Sequence, residues 1–278
     1  MDRKVFELTK DERPIGKYEI YSTYKRHLTQ RAVLWVGMHC DLKCLFCYDK
    51  YLDPLKKTWI PLDSAIAATN KFRFVYNNKW IDLTGGEPTL YPHILDLIHH
   101  CAEIKLEPTC ITHGLHLANK RKVQSYKNAG IHSFLISIHG IGNVLDTIHG
   151  LHSKNATQVQ LKALENLRSA DIPFRINITI IKNNKKQLID LVKLGAKYGA
   201  WIINFIIFNP YFEWREQNLI PFQVSFSEIA PYLKEAIDCC TENSIESNVR
   251  YMPICQLKGY EEHIYTGFQL PYDVLGLG

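Results

Sequence analysis

No apolar run in this 278-residue chain approaches the roughly 18 residues that a membrane helix needs, so a helical membrane protein is excluded and no membrane partner is expected. Internal repeats at solenoid periods and low-complexity tracts are also missing, which removes solenoids and disordered linkers from the choice. Neither sign of charge dominates. Lys and Arg number 33 against 28 Asp and Glu, a net +5 that suits an anionic ligand or a peptide as well as nucleic acid. The opening Met1-Asp2-Arg3-Lys4-Val5-Phe6-Glu7 is too charged for a secretory signal. Eight cysteines without such a signal read as reduced thiols of a cytoplasmic protein, where metal binding is favoured over disulfides. The length allows one large domain or two small ones with a sizeable core.

What is present is a regular alternation. Residues 1–31 are polar, with Tyr18, Tyr21 and Tyr24, and read as an N-terminal extension. From Ala32 onward, short runs rich in Ile, Val, Leu and Phe alternate with amphipathic stretches. Strands are expected at 32–37, 80–84, 106–112, 133–138, 174–181 and 201–208. Helices are expected at 61–74, 93–104, 119–129, 155–170 and 185–199, with Asp63 capping the first and Gly130 stopping the third. Repeated β-α units imply a parallel sheet. The expected fold is α/β: a partial (β/α)6 TIM-like barrel over 32–210 with short N- and C-terminal extensions. After Asn209-Pro210 the pattern changes. The aromatic Tyr211-Phe212-Glu213-Trp214 reads as a loop at the barrel mouth, 226–243 as a helix and 246–251 as a strand. The whole of 211–278, including Pro271-Tyr272-Asp273, is expected to cap the barrel.

The first strand candidate runs into Cys40-Asp41-Leu42-Lys43-Cys44-Leu45-Phe46-Cys47, a CxxxCxxC spacing. With this cysteine content, that spacing arises by chance in fewer than about one such chain in a hundred. Thiolates are soft ligands, and a sulfur-only set suits zinc or an iron–sulfur cluster. A closed structural site takes four ligands, and no fourth Cys or His follows close by. Either a distant residue completes a zinc knuckle or one metal position stays open for chemistry.

A second motif follows the second strand: Thr84-Gly85-Gly86-Glu87-Pro88. Together the two motifs resemble the radical SAM enzymes, whose cluster loop is CxxxCxΦC with Φ aromatic, here Phe46, and whose GGEP motif follows the second barrel strand. The resemblance covers roughly Ala32 to Asn209. It implies a [4Fe–4S] cluster on Cys40, Cys44 and Cys47, with S-adenosylmethionine (SAM) on the open iron. It implies one-electron cleavage of the cofactor to methionine and a 5′-deoxyadenosyl radical that abstracts hydrogen from substrate. Gly85, Gly86 and Glu87 would then meet the methionine amino group, and Phe46 the adenine. Ser137 and Asn177 are expected at ribose and carboxylate contacts, with His139 beside them. Each of these polar residues is equally read as a satisfied rim residue. Thr112-His113-Gly114 stands where many relatives carry a Thr-x-Asn-Gly-like turn; His113 departs from that pattern and receives no role.

Arg175 lies two residues before Asn177, so both side chains share a strand face. An inward Arg175 would pair with the cofactor carboxylate or an anionic substrate; otherwise it forms a surface salt bridge. Some relatives return a hydrogen atom from a C-terminal cysteine, which makes Cys255 the candidate donor, against a buried small hydrophobe as the plain reading. Cys239, Cys240 and Cys255 fall short of a second cluster's four thiolates. Cys101 and Cys110 read as packing, and His99-His100 as surface or packing residues.

The expected function is a biosynthetic hydrogen abstraction on a small molecule such as a sugar, nucleotide or specialised metabolite. A peptide maturase is the second reading, and a non-enzymatic zinc or cluster binding module the third. No cobalamin-sized N-terminal extension is seen, which argues against cobalamin-dependent methylation. A one-electron donor such as flavodoxin or ferredoxin is the expected partner. The basic runs Lys120-Arg121-Lys122 and Asn183-Asn184-Lys185-Lys186 read as solvated helix ends rather than nucleic-acid contacts.

Overall fold

The computed structural model describes residues 27–28, 30–47, 58–150, 155–208, 220–264 and 269–270. Seven parallel strands form one sheet in sequence order: β1 (Arg31–Trp35), β2 (Trp80–Thr84), β3 (Glu107–Thr112), β4 (Ser133–Ser137), β5 (Phe174–Ile180), β6 (Ile202–Ile207) and β7 (Glu246–Arg250). The helices are α1 (Leu62–Asn70), α2 (Ile94–Glu103), α3 (Lys120–Ala129), α4 (Asn143–Ile148), α5 (Ala156–Ser169), α6 (Leu188–Tyr198) and α7 (Phe226–Glu242). The result is a curled half-barrel of the TIM-like kind. The curl brings Arg175 on β5 to within 3.6 Å of Asp82 on β2, although β3 and β4 stand between them in the sheet.

Alternation sorts the two faces. On β5, Phe174, Ile176, Ile178 and Ile180 are buried in the main core, while Arg175, Asn177 and Thr179 are half-buried on the concave face. The outer face packs Ile81, Leu83, Phe134, Ile136, Ile203 and Phe205 into the same core. Cys101 and Cys110 lie there fully buried, as expected of packing residues.

Helix starts and stops follow local chemistry. Asn119 caps α3 by accepting from the backbone N–H of Arg121 and Lys122, and Gly130 stops it in the left-handed conformation. Asp63 is not the cap of α1: Pro61 occupies that position, and Asp63 sits in the first turn, where its charge complements the helix dipole. A π-helical turn, Lys71–Val75, continues α1. The short α4 has no counterpart in the sequence pattern.

The sheet runs one strand beyond the six of the pattern. Residues 246–250 pair parallel with β6, with Asn204 opposite Asn248, and α7 packs against α6. Most of the N-terminal extension, the aromatic stretch at 211–214 and the segment at 271–273 lie outside the described residues. His27–Leu28 pairs parallel with Gln269–Leu270, bringing together residues near the two ends of the chain. Among the described residues no helix is long and apolar enough to cross a membrane.

Candidate active site

The cysteine loop leaves the carboxyl end of β1, where barrel chemistry is placed. Cys40 is exposed and Cys44 and Cys47 are half-buried. The backbone N–H of Leu42 donates to Cys40 Sγ at 3.4 Å, and Cys47 N–H donates to the Cys44 carbonyl at 3.1 Å. Although the residue is exposed at its surface, the protein atoms packed around the Cys40 sulfur push its thiol up to about 12, with Glu87, Asp41 and Cys47 adding to it. Burial also pushes Cys44 up, helped by Cys47 and Cys40. Cys40 and Cys44 thus resist ionisation while the loop holds no cation, and a bound polycation would favour their thiolates. The donor set fits three irons of a [4Fe–4S] cluster.

The loop is clamped from two sides. On one side, Gly86 N–H donates to Gly37 O at 2.8 Å and Glu87 N–H to His39 O at 2.6 Å. A Cβ at Gly85 would stand 2.0 Å from Gly37 O, and one at Gly86 would stand 2.2 Å from His39 O. The close approach these glycines make is therefore to the backbone of the cysteine loop. On the other side, Lys43 N–H donates to His149 O at 3.3 Å and Leu45 N–H to Ile148 O at 2.9 Å, at the end of α4.

Glu87 holds this arrangement from beneath. It is 1% exposed. Its Oε1 accepts from Thr89 N–H at 3.0 Å, the Thr89 hydroxyl at 2.6 Å and the Thr112 hydroxyl at 2.7 Å. Its Oε2 accepts from His113 N–H at 3.0 Å. The ring of His113 completes the link. Its Nδ1 accepts from Leu115 N–H at 3.1 Å, which leaves the proton on Nε2. That nitrogen lies 2.9 Å from Asp41 Oδ1 and 3.1 Å from Glu87 Oε2. His116 Nε2 is 3.0 Å from the other Asp41 oxygen. The hydrogen bonds from His113 and His116 hold Asp41 well below the usual carboxylate range. Burial lowers His113, but the Glu87 and Asp41 carboxylates outweigh it and raise the ring overall. His113 thus joins the cysteine loop to the GGEP loop, a position that sequence reasoning missed. The departure from the Thr-x-Asn-Gly pattern was its one signal. Cys40 Sγ, an Asp41 oxygen and a His113 nitrogen also lie within 4.8 Å of one another.

Phe46 packs edge-on against His139, with ring centres 4.9 Å apart, and lies 6.1 Å from Phe208. His139 Nδ1 accepts from Thr179 N–H at 3.0 Å. Ser137, Asn177, Asn204 and Asn248 lie opposite one another in register across β4 to β7. They form one polar row on the concave face, and the two expected contacts, Ser137 and Asn177, are neighbours in it. Arg175 is on the same face, below Asn177 and beside Asp82. Cys255 is exposed in a turn that follows β7, while Cys239 and Cys240 are buried in α7. His99 is on the surface near Glu103, and His100 bonds Asn70.

Two buried histidines behind the loop make stability depend on pH. Burial, helped by His149, pushes His139 down to about 3. Burial and His113 push His149 down to about 4, against Asp146 and Asp41. An unfolded histidine titrates near 6.5, so below that pH the unfolded chain binds more protons than the folded one. The share of stability that these two rings contribute is full above pH 6.5 and falls by about 1.4 kcal/mol per pH unit for each ring between roughly pH 6 and pH 4. Urea midpoints of the metal-free chain at pH 7 and pH 5 measure this. Equal midpoints would mean that the rings are not held neutral.

A parallel half-barrel thus carries three thiols on the loop after β1, locked to a Gly-Gly-Glu-Pro loop after β2. The chain belongs to the Radical SAM superfamily, whose family model matches residues 36–195. Members of this superfamily use a [4Fe–4S] cluster and SAM. The chain is 25% identical over 172 residues to the AdoMet-dependent heme synthase of Methanosarcina barkeri (strain Fusaro / DSM 804), which covers 61% of this chain and 48% of that one. It is 27% identical over 168 residues to the sporulation killing factor maturation protein SkfB of Bacillus subtilis (strain 168), covering 59% and 38%. Among solved structures it is similar to SuiB of Streptococcus suis bound to S-adenosylmethionine, with a TM-score of 0.64, 19% identity, and 80% of this chain and 50% of that one covered. The chain spans about half the length or less of these relatives.

Proposed function

We propose that this chain cleaves SAM reductively and abstracts a hydrogen atom from a small-molecule substrate in a biosynthetic step. The observation that carries this reading is the cysteine loop, clamped on one side by Gly86 and Glu87 and on the other by the end of α4. Cys40, Cys44 and Cys47 would hold the cluster and leave one iron for SAM. When bound and reduced by a donor such as flavodoxin or ferredoxin, the pair supplies a 5′-deoxyadenosyl radical.

The chain's own residues shape the chamber. Phe46, braced on His139, offers a flat apolar face for adenine. Ser137 and Asn177 offer hydroxyl and amide groups to ribose and carboxylate. Gly85, Gly86 and Glu87 act by fixing the loop whose backbone meets the methionine end. Cys255, exposed beyond the carboxyl end of β7, keeps its candidacy as a hydrogen-atom donor. The compartment proposed is the cytoplasm, and 211–278 is proposed to close the barrel mouth.

A peptide substrate is the second reading. It is favoured by relatives such as SkfB and the PqqA peptide cyclase of Bradyrhizobium diazoefficiens, and by the fold match to SuiB bound to its precursor peptide SuiA. A zinc-binding module is the third, and Cys40, Asp41 and His113 would be its donors.

The test is anaerobic. The protein is reconstituted with iron and sulfide, reduced and given SAM, and 5′-deoxyadenosine is measured by chromatography. Product is expected from a brown, oxygen-sensitive protein. A colourless protein that holds zinc and takes up no iron would overturn the reading.

A further inference from the structure

Beneath the polar row, the concave face carries a group of charges around Arg175. Arg31 Nη1 donates to Asp82 Oδ1 at 2.7 Å. Arg175 Nη2 is 3.6 Å from the same oxygen. One carboxylate oxygen thus faces two guanidinium groups, and the hydrogen bond goes to Arg31. Arg175 has a side chain only 12% exposed, and its Nε and Nη2 are buried without a hydrogen-bond partner among the described residues. Arg250 and Glu246 of β7 act on it through their charges as well.

A guanidinium carries five donors in a fixed fork and stays charged in proteins. Buried donors left without an acceptor are costly, and a charged one more so. The fork matches the planar pair of oxygens on a carboxylate or the oxygens of a phosphate. Arg175 is one inward-facing position below Asn177, so the donors sit directly under the row that includes Asn204 and Asn248. On the β1 side of the same face, Val33 and Trp35 are 41% and 45% exposed.

We propose that Arg175 is the centre of an anion subsite that takes a carboxylate or phosphate group of the substrate. This deepens the functional reading given above and rests on it for the word substrate; the subsite itself is built of barrel residues alone. Its test therefore does not depend on the radical chemistry.

Binding of inorganic phosphate to the full chain, with and without its cluster, is measured by equilibrium dialysis. Saturable binding is expected in both forms. Arg175→Gln is expected to weaken it by at least about tenfold, the loss of one charged bidentate contact. Asp82→Asn removes the competing carboxylate and is expected to tighten it several-fold, a gain that a purely structural ion pair would not give. Acetate competition then separates the two sources, since the better competitor names the group. Absence of saturable phosphate binding would overturn the proposal, as would equal binding in Arg175→Gln. A variant that keeps phosphate but loses SAM affinity tenfold would place the cofactor's own carboxylate on Arg175 and also overturn it. If Arg175→Gln does not fold, Arg175→Lys keeps the charge without the fork, and Asp82→Asn still decides. Failure of the 5′-deoxyadenosine assay with phosphate binding intact would remove the radical reading and leave the anion site standing.

Discussion

Replacing Cys44 by alanine is expected to give a folded, colourless protein that makes no detectable 5′-deoxyadenosine. The thiol is half-buried. The turn it starts uses its backbone carbonyl, bonded by Cys47 N–H, and the clamps on either side are backbone bonds of other residues. Alanine keeps all of these and removes only sulfur. A change at such a position is expected to alter stability by less than about 1 kcal/mol. The chemical loss is complete, because two thiolates do not hold a cluster that needs three and an open iron. Iron analysis and chromatography measure the loss, and urea unfolding measures the fold. The same variant separates the zinc reading. Cys40, Asp41 and His113 remain intact in it, so a module built on that donor set would keep its zinc. Loss of iron and product together, with the fold intact, is the expected outcome; retained iron would mean that the cluster sits elsewhere.

Gly86→Ala is expected to do the opposite, damaging the fold first and the chemistry through it. The added Cβ would lie 2.2 Å from His39 O, 2.5 Å from His39 C and 2.7 Å from Met38 C. All three are backbone atoms, so no side chain can swing aside. The cysteine loop must move away from the GGEP loop, and the bonds from Gly86 N–H and Glu87 N–H go with it. Overpacking and two buried backbone bonds together are expected to cost about 2–4 kcal/mol. The urea midpoint should fall, and the iron bound per chain should fall with it. A variant with parent stability and full iron would refute the clamp.

The sequence exposed what is local. Three cysteines in one loop carry their own spacing, and buried parallel strands such as Ile202–Ile207 announce themselves as apolar runs. Arg175 and Asn177 were placed on one face by the period of two alone. What depends on distant partners stayed hidden. His113 meets Asp41 and Glu87 only because β1, β2 and β3 end side by side, and a lone histidine has no spacing to read. Glu87 reads in sequence as an acceptor for a ligand, yet its carboxylate takes four hydrogen bonds from Thr89, Thr112 and His113. The six-residue α4 is too short to show a helical period, yet its end carries the second clamp. Strand β7, Glu-Ser-Asn-Val-Arg, is expected from sequence as a strand of the cap, but with one apolar residue its sequence does not show that it extends the barrel sheet.

The double clamp has a consequence for how metal enters the molecule. A loop free to wander in the metal-free chain would have to be ordered at the moment of binding, and that entropy would be subtracted from the metal's affinity. Here the backbone bonds from Gly86 and Glu87 on one side, and to Ile148 and His149 on the other, order the loop when the barrel folds. Cluster assembly then resembles filling a preformed seat rather than folding around an ion. What remains to be supplied at that step is the release of thiol protons from Cys40 and Cys44, both held high by burial.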